Sequence, residues 1–308
     1  MRIVFMGTPE FAVPSLEILA KQERVVAVVT QPDKAQGRGQ KIGMSPVKKL
    51  ALGLGLPVLQ PERVSDPQFI KLMQGFRPDL VVVVAFGQKI PKALLELPPY
   101  GCINLHSSLL PRYRGAAPIN RAIAEGEPVT GVTTMYLNTQ WDAGDVILQA
   151  EEPIYPDDTA GTLHDRLMVK GAHLLAETVR QIAAGTAPRI PQDHSQATYA
   201  YKLAKEDAYL DFSDSAEKLS RLVRAMNPWP TAYTKIGGEE IKVWKAVPLP
   251  GEAPVGVIAE ITDTALVVGC GSGLLALEQV QRPGRKIISG RDLANGLRLR
   301  VGQKIISN

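Results

Sequence analysis

Two runs, RVVAVVTQ at residues 24–31 and DLVVVVAF at 79–86, are apolar at consecutive positions and leave no face for water. Strands of this kind need cover on both sides, which is the condition of a parallel sheet held between layers of helices. The neighbouring segments alternate accordingly. RIVFMG (2–7), PVLQP (57–61) and GCINLHS (101–107) read as further strands. PEFAVPSLEILAKQ (9–22), SPVKKLALGLG (45–55), DPQFIKLMQGF (66–76) and PKALLEL (91–97) read as helices between them. The first part of the chain is therefore expected to be an α/β, doubly wound, mostly parallel sheet.

The pattern then loosens. APINRAIAEG (117–126) predicts a helix, TGVTTMYLN (130–138) and DVILQAEEPI (145–154) two strands, and residues 159–185 one long helix, with Thr159 or Thr162 as its cap. Residues 189–205 carry no periodicity and read as a linker between a domain at 1–188 and another at 206–308. The second domain opens with a helix at SAEKLSRLVRAM (215–226) and continues in short β-rich runs broken by Gly and Pro, the pattern of a small barrel or sandwich.

Composition excludes some functions. The longest apolar run, Leu80–Phe86, is far too short to span a bilayer, and the N-terminus lacks the apolar core of a signal peptide. Cys102 and Cys270 stand alone, so neither a zinc site nor a disulfide framework is expected, and a reducing, cytoplasmic setting is. Nothing in the sequence asks for an obligate interface, so a monomer is expected. Gly7 is followed by Thr-Pro-Glu-Phe, which breaks the glycine spacing of a dinucleotide-binding turn, and no phosphate-binding loop occurs elsewhere.

The net charge of +4 permits a nucleic-acid partner without requiring one, so distribution matters more. Arg282, Arg285, Lys286, Arg291, Arg298, Arg300 and Lys304 face a single acid, Asp292, over the last 27 residues. Residues 34–49 hold Lys34, Arg38, Lys41, Lys48 and Lys49 with no acid. Each cluster reads either as a solvated surface or as a phosphate-contacting one.

Chemistry concentrates in INLHSSLLPRYRG (103–115). In a doubly wound sheet, ligands bind beyond the carboxyl ends of the strands, where this stretch would lie. Period-two alternation puts Asn104 and His106 on one side of their strand. Two readings compete: a buried, satisfied pair, or an amide able to hold an oxyanion beside an imidazole able to move a proton. Three neighbours favour chemistry: the stiff wall SLLP, the cations and turn of RYRG, and Asp142 in WDAGD, placed after the next strand to orient His106.

NLHSSLLPRYRGAAPIN, with an Asp some 35 residues on, resembles the signature of the folate-dependent formyltransferases. GTPEFAVP, TQPDKAQGRGQ and NPWPTAY resemble the branch that acts on methionyl-tRNA, and the resemblance spans nearly the whole chain. It implies a Rossmann-like catalytic domain followed by an OB-like β-barrel. It implies formyl transfer from 10-formyltetrahydrofolate to the amino group of initiator methionyl-tRNA, for translation initiation, without a metal or a nicotinamide. The catalytic trio falls on Asn104, His106 and Asp142, and the folate contact on Ser108, Leu109, Leu110 and Pro111. The implied tRNA contacts are Arg38 and Lys41 in the first basic cluster, and Arg282, Arg285, Lys286, Arg298, Arg300 and Lys304 in the second. Other acceptors on the same scaffold would be a small amine, such as an amino sugar, or water, which makes a formyltetrahydrofolate hydrolase. One departure stands out: Gln140-Trp141 occupies the place of the family's usual Gly-Leu before the Asp, so the pocket or loop around Asp142 is expected to differ in shape.

Overall fold

A computed structural model describes residues 1–36 and 41–305. It divides into two compact units, one of residues 1–118, 129–153 and 164–200, the other of residues 119–128, 154–163 and 201 onward.

The first unit is built on a seven-stranded sheet. Its strands are β1 (Arg2–Gly7), β2 (Arg24–Val29), β5 (Val58–Leu59), β6 (Leu80–Val84), β7 (Cys102–His106), β9 (Val129–Tyr136) and β10 (Val146–Pro153). Between these fall a short antiparallel hairpin of β3 (Lys34–Gln36) and β4 (Lys41–Gly43), and β8 (Arg114–Gly115). The spatial order is β10-β9-β7-β6-β1-β2-β5. β7, β6, β1, β2 and β5 are mutually parallel, whereas β9 runs antiparallel to both its neighbours. The expected α/β doubly wound sheet is thus present, with an antiparallel addition at one side.

The apolar runs are buried as their patterning requires: all five residues of β6 are buried. Val4, Met6, Ala27, Val29, Val81, Val83 and Cys102 pack with Phe69 and Met73 of α3 (Pro67–Phe76) and Leu94 of α4 (Lys92–Leu95). The alternate residues point to the other face, which carries α1 (Val13–Gln22), α2 (Pro46–Gly53) and most of α6 (Ala160–Ala184). Ser45 and Asp66 cap α2 and α3 by accepting from Lys48 N and Gln68 N. Thr159 and Thr162 exchange hydroxyl–amide bonds at the start of α6, so both expected caps take part.

Residues 34–43, part of the first basic cluster, include the β3–β4 hairpin, and the backbone of Lys41 opens β4. Arg38 lies outside the described residues. The stretch 189–205, read as a linker, threads through the first unit as far as Ala200. Ile190 bridges Val146, and β11 (Tyr199–Ala200) pairs with β8 in parallel.

The second unit is a curved antiparallel sheet of β12 (Ala232–Ile236), β13 (Glu239–Leu249), β14 (Ile258–Ile261), β15 (Leu266–Gly269), β16 (Leu274–Gln281) and β17 (Ile287–Ser289). The order is β12-β13-β16-β15-β14, with β17 also on β16. Two irregularities near Lys245 bend the long β13, as extra residues in a ladder do. α7 (Ala216–Ala225) packs on β13 and α8 (Gly290–Leu297) on β16, each capped by a serine, Ser215 and Ser289. This is the small β domain expected at the C-terminal end. α5 (Pro118–Glu125) lies almost wholly within this unit's residues.

No helix among the described residues is long and apolar enough to cross a membrane. Both cysteines are buried thiols. Burial pushes Cys102 up to about 12 and Cys270 up to about 11, the latter helped by the charge of Glu217. Thiolate, the reactive form, is therefore scarce at pH 8. Both cysteines should resist a disulfide reagent in the native protein and react promptly in denaturant, which a timed thiol titration measures.

Candidate active site

β6 and β7 end side by side, with Val84 paired to Leu105. Along β7, Cys102, Asn104 and His106 share one face, while Leu105 turns to the other and meets Gly171 of α6. Cys102 is covered by the α3–α4 core, and the next two residues on that face stand progressively nearer the carboxyl edge of the sheet. Asn104 is partly exposed, and its amide has no hydrogen bond among the described residues. His106 is buried.

The imidazole is held from one side. Its Nε2 lies 2.9 Å from the carbonyl oxygen of Tyr113. A carbonyl can only accept, so Nε2 carries the proton there. Nδ1 then faces the carboxylate of Asp142, with 3.8 Å to Oδ2, beyond direct hydrogen-bond range. Sequence reasoning assigned the orienting bond to Asp142. In the structure Tyr113 makes it, and the carboxylate stands across a gap from the other nitrogen.

Asp142 is itself closely fixed. Its backbone lies in the left-handed region at φ 48°, which Asp tolerates better than most residues. Its Oδ2 accepts from Gly115 N at 2.9 Å. Gly115 has φ 116°, and a Cβ there would lie 2.6 Å from the Ala200 carbonyl oxygen, so only glycine fits. A Cβ on Gly144 would lie 1.8 Å from the Tyr136 carbonyl oxygen, which accounts for the glycine of the Asp142 loop. The buried amide of Gln192 donates to the carbonyls of Asp142 at 3.0 Å and Gly144 at 2.7 Å. Its oxygen accepts from Arg114 Nε at 3.1 Å and Nη2 at 2.7 Å. Gln192 therefore ties the Asp142 loop to the strand that follows the SLLP wall.

That wall is locked from β9. Thr133 Oγ1 donates to the Ser108 carbonyl at 2.6 Å and accepts from Leu110 N at 3.1 Å and Gln149 Nε2 at 3.0 Å. Ser108 is fully buried and its hydroxyl donates to the Arg112 carbonyl at 2.7 Å. Leu110 is buried against Met135 and Val146, whereas Leu109 and Pro111 are partly exposed. RYRG, read as cations and a turn, contains the short strand β8, and its Arg114 is only 4% exposed.

The structure thus brings Asn104, His106, Asp142 and the SLLP segment to one place. The basic residues of the C-terminal cluster belong to the second unit. Arg282 is held by Glu239 through two bonds of 2.8 and 2.6 Å, which raises the guanidinium pKa and lowers that of the carboxyl. Arg285 and Lys286 are exposed on the β16–β17 turn, Arg298 at the end of α8, and Arg300 and Lys304 beyond it. These five make no ion pair among the described residues. Sequence reasoning missed Tyr113, Thr133 and Gln192. Only the Tyr inside RYRG lay in a stretch singled out beforehand.

Comparison with known proteins places this geometry in a class. Residues 1–179 match the family model described as formyl transferase, and residues 202–298 match that of the formyl transferase C-terminal domain. The chain belongs to the formyl transferase family. Within that family it is 50% identical over 285 residues to a methionyl-tRNA formyltransferase of Acetivibrio thermocellus, covering 91% of this chain and 92% of that one. It is 44% identical over 306 residues to the methionyl-tRNA formyltransferase of Geobacter metallireducens, covering 99% and 98%. In fold it resembles WlaRD, a sugar 3N-formyl transferase solved in the presence of dTDP and 5-N-formyl-THF, at TM-score 0.68 and 19% identity, covering 93% of this chain and 99% of that one. HypX from Aquifex aeolicus, solved with tetrahydrofolic acid, aligns at TM-score 0.65 and 18% identity, covering 96% and 47%.

Proposed function

We propose that the chain transfers the formyl group of 10-formyltetrahydrofolate to the amino group of methionine on initiator methionyl-tRNA, in the cytoplasm, with Asn104, His106 and Asp142 as the catalytic groups. The observation that carries this reading is the gap at the end of β7. An unengaged amide, an imidazole nitrogen and a carboxylate converge there, with 3.8 Å between the last two.

The amine attacks as the neutral base. A nitrogen–carbon bond forms to the formyl carbon, and negative charge builds on the formyl oxygen. The Asn104 amide is the donor for that oxygen, in the manner of an oxyanion hole. Because Nε2 of His106 donates to Tyr113, Nδ1 holds a lone pair whenever the ring is neutral. It can therefore take the proton that the attacking nitrogen must lose. The ring then becomes a cation with an N–H at Nδ1, available to the oxyanion and to the leaving nitrogen. The Asp142 carboxylate faces that nitrogen and attracts the arriving charge. The tetrahedral carbon collapses, its bond to folate N10 breaks, and the proton ends on N10. Leu109 and Pro111, the partly exposed members of the SLLP wall, are the surfaces offered to the folate donor, and Ser108 and Leu110 hold that wall in shape.

The exposed cations Arg285, Lys286, Arg298, Arg300 and Lys304 supply contacts to tRNA phosphates, which make binding salt-dependent. The test is formyl transfer from 10-formyltetrahydrofolate to methionylated initiator tRNA, with elongator tRNA, free methionine and an amino sugar alongside. Rapid formylation of the initiator, with a KM that climbs steeply with salt, is expected. Replacing Arg298 and Arg300 by Ala should flatten the salt dependence by about one unit of log–log slope per lost contact. Donor consumed without formyl-methionine would establish hydrolysis or another acceptor.

A further inference from the structure

His106, Thr133 and Gln149 stand in one row across three strands. Thr133 of β9 is the ladder partner of His106 on β7, and Gln149 of β10 is the ladder partner of Thr133. Directly paired residues of antiparallel strands share a face of the sheet, so imidazole, hydroxyl and amide project together. The row extends the working face of the site, yet the chemistry uses only its first member. The other two are spent on the segment that follows His106. The Thr133 hydroxyl is buried and makes three bonds, one donated to the Ser108 carbonyl and two accepted, from Leu110 N and Gln149 Nε2. That is the whole capacity of a hydroxyl. Gln149 is exposed on the outer strand, but its amide turns inward and also donates to the Leu110 carbonyl at 2.9 Å. The backbone from Ser108 to Leu110 is thereby wrapped around one oxygen atom, and Arg112 N closes the turn on the Leu109 carbonyl at 3.1 Å. Gly131, two residues before Thr133 on the same face, leaves the space that the Leu109 side chain fills: a Cβ there would lie 2.5 Å from Leu109 Cδ2.

We infer that Thr133 and Gln149 are positioning residues for the formyl donor: they hold the SLLP turn against the sheet and so set where Leu109 and Pro111 stand relative to His106. The inference rests on the reading of Leu109 and Pro111 as the surfaces offered to the folate donor. Thr133 has no exposed surface with which to meet a ligand, so it acts through the turn alone. Without the hydroxyl, the Ser108 carbonyl and Leu110 N lose the atom they share. Without the Gln149 amide, the Leu110 carbonyl loses its partner from β10. In either case the turn is free to shift, and the donor must spend part of its binding energy on ordering it.

The test uses the full-length protein and tetrahydrofolate as probe, so that binding is read without any acceptor. Thr133→Val deletes the hydroxyl and keeps the shape. Gln149→Leu deletes the amide at an exposed position, where folding is little affected. Each should raise the dissociation constant for tetrahydrofolate by about tenfold in equilibrium dialysis, and the KM for the formyl donor with it. The KM for methionyl-tRNA should keep its wild-type value. Thr133→Ser, which retains the hydroxyl, and Gln149→Lys, which retains an N–H donor of similar reach, should restore binding. The two Gln149 variants carry the decision if Thr133→Val does not fold. Wild-type affinity for tetrahydrofolate in folded Thr133→Val and Gln149→Leu would overturn the positioning role and leave the donor reading standing. A rise shared equally by both substrates, or no rescue by Ser and Lys, would reduce the row to a structural part and overturn it as well. A wild type that binds no tetrahydrofolate would remove the donor reading and the inference together.

Discussion

In His106→Ala, kcat for formyl transfer falls by about 1,000-fold or more, because proton transfer and one oxyanion contact are lost together. The reasoning starts from Nε2. That nitrogen is committed to the Tyr113 carbonyl, which leaves Nδ1 as the working atom at the sheet edge. The other three imidazoles are engaged or placed elsewhere: His164 stacks edge-on against Phe11, His173 is exposed on α6, and His194 is bonded to Arg114. The substitution also leaves a buried carbonyl without its donor, at about 1–3 kcal/mol. A modest drop in melting temperature should therefore accompany the kinetic loss. The decisive readout is kcat at a temperature where both proteins are folded by circular dichroism. Turnover within about tenfold of wild type would remove His106 from proton transfer.

The second large effect lies at a residue that touches no substrate. Gln192→Leu deletes the oxygen that holds Arg114 and the amide that holds the carbonyls of Asp142 and Gly144. Leu fills similar volume but leaves a buried cation and two carbonyls short of partners, so stability should fall by about 3 kcal/mol or more. Gln192→Glu separates the two roles. A carboxylate still accepts from Arg114, and more strongly, but it has no donor for the loop carbonyls. The Glu variant should therefore melt closer to wild type and still lose about 10- to 100-fold in kcat, through a carboxylate held out of place. Thermal unfolding and steady-state kinetics on the two variants check this. If the Glu variant keeps full activity, Gln192 serves stability alone and does not position Asp142.

Much of the first unit was legible because burial leaves a periodic trace. Runs such as Leu80–Val84 admit only a strand covered on both faces, and Asn104 and His106 fall two apart on a strand whose side chains alternate with that period. What lacked a period was not legible. Residues 37–43 contain three glycines and no alternation, so nothing announced the β3–β4 hairpin. Gln192 reaches Asp142 across 50 residues of chain from a segment of Pro and polar residues, and a single long-range hydrogen bond leaves no local signature. The buried state of Arg114 was hidden for the same reason, since its acceptors lie about 80 residues further on. RYRG therefore reads as a charged turn until the fold brings Gln192 and His194 to it.

The path of residues 189–200 sets an order of events during synthesis. All seven strands of the first sheet have left the ribosome once Pro153 has, and α6 follows by Ala184. At that stage Asn104, His106 and Asp142 are all present, yet Gln192 and the β11 strand that holds β8 are still to come. A nascent or truncated chain ending at 188 would own all three proposed catalytic side chains and lack the pieces that hold one of them in place. The bonds that fix the Asp142 loop and β8 come some fifteen residues after α6, from the segment that composition alone would have assigned to a tether.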